Sequence, residues 1–175
     1  MIIMELTWLG KYRHFVGTIF RSANAYSQVC KFEASFGDTE ISTYEIQIME
    51  HILEYSDQHK NMSWYAELLG LSQSVFSKYV KKLVSKGLVE KYYLKGNKKN
   101  IVLMVSERGL EVYKNYSEYA ENTWFRDFFA MLDTVPADQL EMFEKIIGTW
   151  GSWFQESLKA EEDKEEEETE LIKIE

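Results

Sequence analysis

The stretch from Met62 to Ser106 leaves the fewest folds open, because it passes from helical to extended patterning within one short segment. Ser63 stands where a helix N-cap is favoured and opens a short helix. Gly70-Leu71 marks a tight turn. Ser72 offers a second N-cap, since its hydroxyl can accept an orphan backbone N–H. The helix it starts runs to about Gly87, where glycine tolerates the left-handed conformation of a C-cap. Two β-rich runs follow, 88–94 and 101–105. Lys95-Gly96-Asn97-Lys98-Lys99-Asn100 joins them, with the glycine and asparagine a hairpin link needs.

Charge in this stretch is one-sided. Between Lys78 and Lys99, eight lysines (Lys78, Lys81, Lys82, Lys86, Lys91, Lys95, Lys98 and Lys99) stand against Glu90 alone, a local +7 in a chain of net charge −9. On a helix, Ser74, Lys78, Lys81 and Ser85 share one face, with Gln73, Ser77 and Lys82 beside it. Val75, Tyr79, Val80 and Leu83 fall elsewhere and are predicted to be buried. A lysine face is often no more than a solvated surface. Here the same bias continues into the hairpin turn, which favours a basic footprint for nucleic acid. Helix, turn, helix, hairpin is the order of a winged helix-turn-helix, whose second helix enters the major groove of DNA.

The rest of the chain supplies long helices. The 175 residues suffice for one domain or two small modules with a shared core. From Thr7 to Phe32, Leu9, Tyr12, Val16, Ile19, Ala23, Tyr26 and Cys30 step by three and four, a sustained helical seam. A break at Ser35-Phe36-Gly37-Asp38 precedes a capping box of Ser42 and Glu45, with Ile41 placed to staple to Ile46, and the helix runs to about Tyr55. Ser106 is placed to cap a helix from Glu107 to about Leu132, bearing Tyr113, Tyr116, Ala120, Trp124, Phe128 and Met131. After Val135-Pro136, a last helix from about Ala137 to Leu158 carries Leu140, Phe143, Ile147, Trp150 and Phe154. The small module cannot cover three such faces, so a two-fold dimer of interlocked terminal helices is expected.

The expected class is mainly α with a small β-hairpin wing: a winged helix-turn-helix flanked by long dimerisation helices. Residues 1–36 and 107–160 form the helical dimerisation region and 37–106 the DNA-binding domain. Residues 161–175, with nine acids against two lysines, form an acidic tail expected to lack fixed structure. Most of the chain's acidity lies in that tail and is weak evidence against DNA binding.

With these pieces placed, residues 7 to 158 resemble the MarR family (multiple-antibiotic-resistance regulators). One carrying pattern is Leu71-Ser72-Gln73-Ser74-Val75-Phe76-Ser77-Lys78-Tyr79-Val80-Lys81-Lys82-Leu83, continuing into Lys86-Gly87-Leu88-Val89-Glu90 and similar to the family's recognition helix. The other is Asn97 to Gly109, similar to the wing, its second strand and the start of the next helix. The resemblance implies a homodimeric transcriptional regulator, a repressor on near-palindromic promoter DNA, released by a small aromatic ligand bound between the dimer helices and the reading module. It implies that Gln73, Ser74, Ser77 and Lys78 face bases or adjacent phosphates, and that Lys98 and Lys99 reach the minor groove. Ser72, Lys81, Lys82 and Lys95 complete the candidate DNA-binding set. The family wing usually carries an Asp that orients an Arg. Asn97 and Lys98-Lys99 stand there instead, and lysine lacks arginine's planar fork. A looser, more electrostatic wing follows.

Other chemistry finds little support. No apolar run approaches the ~20 residues of a membrane span. The N-terminus lacks the layout of a secretory signal, and the single cysteine excludes an internal disulfide, so a cytoplasmic location is expected. Cys30 falls on the apolar seam, where a thiol is usually inert. His14, His51 and His59 show no metal-ligand spacing. No Gly-rich phosphate loop, nucleophile triad or distinct carboxylate pair is present, so neither enzyme activity, cofactor nor metal is expected. The alternative reading is a protein-interaction module on a winged-helix scaffold without specific DNA binding.

Overall fold

The N-terminal seam forms a shorter helix than its periodicity implies. In the computed structural model, which describes residues 8–167 excepting the side chains of 97–99, 159 and 161–167, Gly10 sits at φ 48° and a 3-10 turn (Gly10–Tyr12) precedes α1 (Arg13–Val29). No residue of α1 is buried, and Tyr12, Phe15, Phe20 and Tyr26 are about half exposed. Cys30, just past its end, is buried.

The break expected near residue 35 is an antiparallel hairpin, β1 (Glu33–Phe36) and β2 (Thr39–Ser42), in register from Glu33↔Ser42 to Phe36↔Thr39. Its two-residue turn is Gly37-Asp38. Gly37 takes φ 67°, a left-handed value that a side chain would strain. Arg108 ties this turn down, donating to Asp38 Oδ1 at 3.2 Å and Thr39 Oγ1 at 3.1 Å. The Thr39 hydroxyl and the Arg108 charge hold the Asp38 carboxyl below its usual range.

Helix α2 (Thr43–Glu54) begins with the capping box read from the sequence. Ser42 Oγ accepts from the Glu45 N–H, and the Glu45 carboxylate accepts from the Ser42 N–H at 2.9 Å. Ile41 and Ile46, flanking the cap, both enter the core. Helix α3 (Met62–Leu68) is capped by Asn61, whose Oδ1 accepts from the Trp64 N–H, and not by Ser63. Asn61 is the residue with extended backbone, and Ser63 already lies inside the first turn. Helix α4 is Gln73–Ser85, capped by Ser72, and Gly87 follows at φ 70°.

Strands β3 (Val89–Leu94) and β4 (Asn97–Val105) form the wing. Its turn is tighter than expected. Only Lys95-Gly96 lie outside the strands, and a register shift at Tyr93/Leu94 absorbs the difference. Helix α5 (Glu107–Ala120) starts at a junction of three segments. Ser106 Oγ donates to Gly87 O at 2.6 Å and accepts from the Gly109 N–H at 3.0 Å, while the Ser106 N–H donates to Leu88 O. Gly109 makes that approach possible, since a Cβ there would stand 2.2 Å from the Leu88 carbonyl oxygen.

The chain divides into two units, Met1–Ser117 and Glu118–Glu175. The core of the first gathers Ile46, Met49 and Ile52 of α2, Tyr65 of α3, Phe76, Val80 and Leu83 of α4, Leu103 of the wing and Val112 of α5. In the second, a π-helical turn (Glu121–Phe125) leads into α6 (Arg126–Leu132), and α7 (Ala137–Glu167) follows Pro136. Helix α7 continues past the expected end at Leu158, because glutamate and lysine are good helix formers. The tail is therefore helical to Glu167, and residues 168–175 lie outside the described residues. Trp124, Phe128, Phe129, Phe143, Trp153 and Phe154 are each about half exposed. Among the described residues no helix is long and apolar enough to cross a membrane.

Candidate nucleic-acid interface

Helices α3 and α4 are set by backbone chemistry at their turn. The Leu71 N–H reaches Ala66 O at 2.9 Å, and the Ser72 hydroxyl accepts from the Val75 N–H. Phe76, Val80 and Leu83, spaced by four and three, are fully buried and fix the rotation of α4. The opposite face presents Ser74, Ser77, Lys78, Lys81 and Ser85, all exposed. Among the described residues, Ser77, Lys78 and Lys81 have no hydrogen-bond or ion-pair partner.

Other residues of the predicted set are engaged within the fold. Ser72 is the cap itself, its hydroxyl 3.1 Å from that of Ser74. Gln73 Nε2 donates to Ser63 O at 3.3 Å, strapping α4 to α3. Lys82 pairs with Glu33 at 3.5 Å, and both are substantially exposed, so the pair is weak. Lys86, counted above with the basic footprint, does not belong to it. Its Nζ lies 2.9 and 3.0 Å from the two oxygens of fully buried Glu45 and 2.7 Å from Glu40 O. A carboxylate buried by the capping box needs a cation, and Lys86 supplies it.

Val75 also departs from expectation. It is 40% exposed, because its position turns it outward from the core, while Phe76 takes the core site beside it. Tyr79 is half-buried against Tyr44, ring centroids 5.4 Å apart, and burial pushes its phenol pKa up. Lys95 is exposed at the wing turn. Lys98 and Lys99 lie on β4 beside it, but their side chains fall outside the described residues. Sequence reasoning missed Lys60, whose Nζ sits 4.8 Å from the Trp64 ring centroid at the start of α3. The signal was a cation just ahead of the helix cap and an indole in its first turn. Among the described residues no three His, Cys, Asp or Glu side chains gather as a metal site.

A family model described as a winged helix-turn-helix matches residues 44–123. No curated protein matches the chain. Among solved structures, the PcaV transcriptional regulator from Streptomyces coelicolor, in complex with its natural ligand, is 15% identical at a TM-score of 0.58, over 85% of this chain and 98% of that one. A MarR protein from Peptoclostridium difficile is 20% identical at a TM-score of 0.58, over 90% and 94%. The fold is that of the MarR-type regulators. A mutant of Lactococcus lactis ZitR in complex with DNA shares this MarR-type fold at 16% identity and a TM-score of 0.52, over 79% and 97%. In that fold, α4 is the second helix of the helix-turn-helix and β3–β4 the wing.

Proposed function

We propose that the chain is a DNA-binding transcriptional regulator of the MarR family that acts as a homodimer, and as a repressor, on near-palindromic promoter DNA. The observation that carries this reading is the outward face of α4, where Ser77, Lys78 and Lys81 are exposed and unengaged on a helix whose other face is locked into the core. Serine hydroxyls can bond base edges, and Val75 can meet a thymine methyl. With no arginine on α4, bidentate guanine recognition is weak, and affinity rests on phosphate contacts from lysine. The uncovered aromatic faces of α1, α6 and α7 favour a second copy as their cover, which would set the reading helices about 34–36 Å apart, one turn of DNA. PcaV carries a natural ligand and the ZitR mutant is bound to DNA. We carry both to this chain, with a small aromatic ligand as the releasing effector.

The test is fluorescence anisotropy with random-sequence duplex DNA across a salt series, with the oligomeric state measured by sedimentation. The expected result is a dimer whose affinity falls steeply with salt. No binding at low salt would overturn the reading and leave a protein-interaction module on a winged-helix scaffold.

A further inference from the structure

The wing sheet has a second face that the reading of DNA does not use. Glu90 opposes Met104 and Tyr92 opposes Val102, so these four side chains share one face, while Val89 and Leu103 on the other enter the core. Along the first face, and bordered also by Tyr93 and Val105 of the other, lies an open cavity of about 710 Å³, within the size range of small-molecule sites. Its floor is apolar, from Tyr92, Leu94, Val102 and Met104, and Glu90 and Glu107 stand at its wall.

Charge selects what this cavity can hold. His59 and Arg108 also border it, and the Arg108 guanidinium is taken by Asp38 and Thr39. Neither Glu90 nor Glu107 has a cationic partner among the described residues. The Tyr92 hydroxyl donates to Glu90 Oε2, which steadies the ring beside the carboxylate and leaves the ring face open, with Tyr92 49% exposed. An acidic wall, an apolar floor and an exposed phenol ring together suit a cation on a flat apolar body, since ring faces attract cations and the two exposed carboxylates add opposite charge beside them. We propose that the back of the wing is a binding site for a small organic cation with an aromatic or apolar body. This site is separate from the α4 face and does not rest on the DNA-binding reading.

Tetraphenylphosphonium and tetraphenylborate, alike in shape and opposite in charge, test it by isothermal titration calorimetry on the full chain. The phosphonium should bind at least about ten-fold more tightly than the borate. Tyr92→Ala and Glu107→Gln should each weaken the phosphonium by about ten-fold with the circular dichroism spectrum unchanged. Equal or tighter binding of the borate would overturn the proposal. So would phosphonium binding that neither substitution alters.

Discussion

Lys78 and Lys86 stand about two turns apart along one segment and have opposite uses. Lys86 holds the buried Glu45 carboxylate, so Lys86→Ala leaves a charge without its partner and should cost about 3 kcal/mol in urea denaturation. Replacing both, Lys86→Met with Glu45→Gln, should recover much of that loss. Lys78 holds no side chain among the described residues. Lys78→Ala with Lys81→Ala should leave stability within about 0.5 kcal/mol of the parent. It should reduce the salt slope of DNA binding by about one per lysine, and an unchanged slope would remove α4 from the interface. The two lysines could not be told apart by sequence, because what separates them is a partner forty residues away. A phenol gives a further test. Burial and the hydrogen bond from Tyr113 to Glu50 push the Tyr113 pKa up to about 12. Its neutral form is favoured in the fold, so this stabilisation is complete below about pH 10, the unfolded value, and is lost as pH rises toward 12. Tyr113→Phe should flatten the alkaline fall in stability over that window.

Elements whose ends are written in local chemistry were legible. The Ser42–Glu45 box and the Ser72 cap fall where expected, because a cap is a contact within four residues. The β1–β2 hairpin was missed although its signals were present. Gly37-Asp38 is a two-residue turn, and Thr39, Glu40 and Ile41 alternate buried, exposed, buried, but strands of four residues are easily taken for a break. The π-helical turn left a fainter trace. Tyr116, Ala120, Trp124 and Phe128 step by four throughout, slightly too long for an α-helix, and a wider turn takes up the excess. Of the candidate site, the face of α4 was readable from its period. The engagement of Gln73, Lys82 and Lys86 was not, since it depends on how distant elements meet. The junction at the start of α5 is the tightest such meeting. Gly109→Ala would drive a methyl into the Leu88 carbonyl and should cost about 2–3 kcal/mol, measured by thermal or urea denaturation.

At the scale of the whole molecule, the acidic end of the chain is opposite in charge to the lysine-rich wing sequence. Deleting residues 161–175, which carry nine acids and two lysines, should keep or raise affinity for DNA at low salt, and a loss of affinity would show that the tail takes part in binding. The aromatic surfaces of α1, α6 and α7 have a different consequence. Trp124, Phe128, Trp153 and Phe154 in the open are costly for a lone chain, so in the proposed dimer pairing and persistence would be linked by mass action. Below the concentration at which two copies meet, occupancy of a two-half-site operator would fall with the square of the amount of chain. On the proposed dimer reading, each halving of the chain would cut that occupancy about four-fold, so binding would track the chain's own dosage before any ligand is considered.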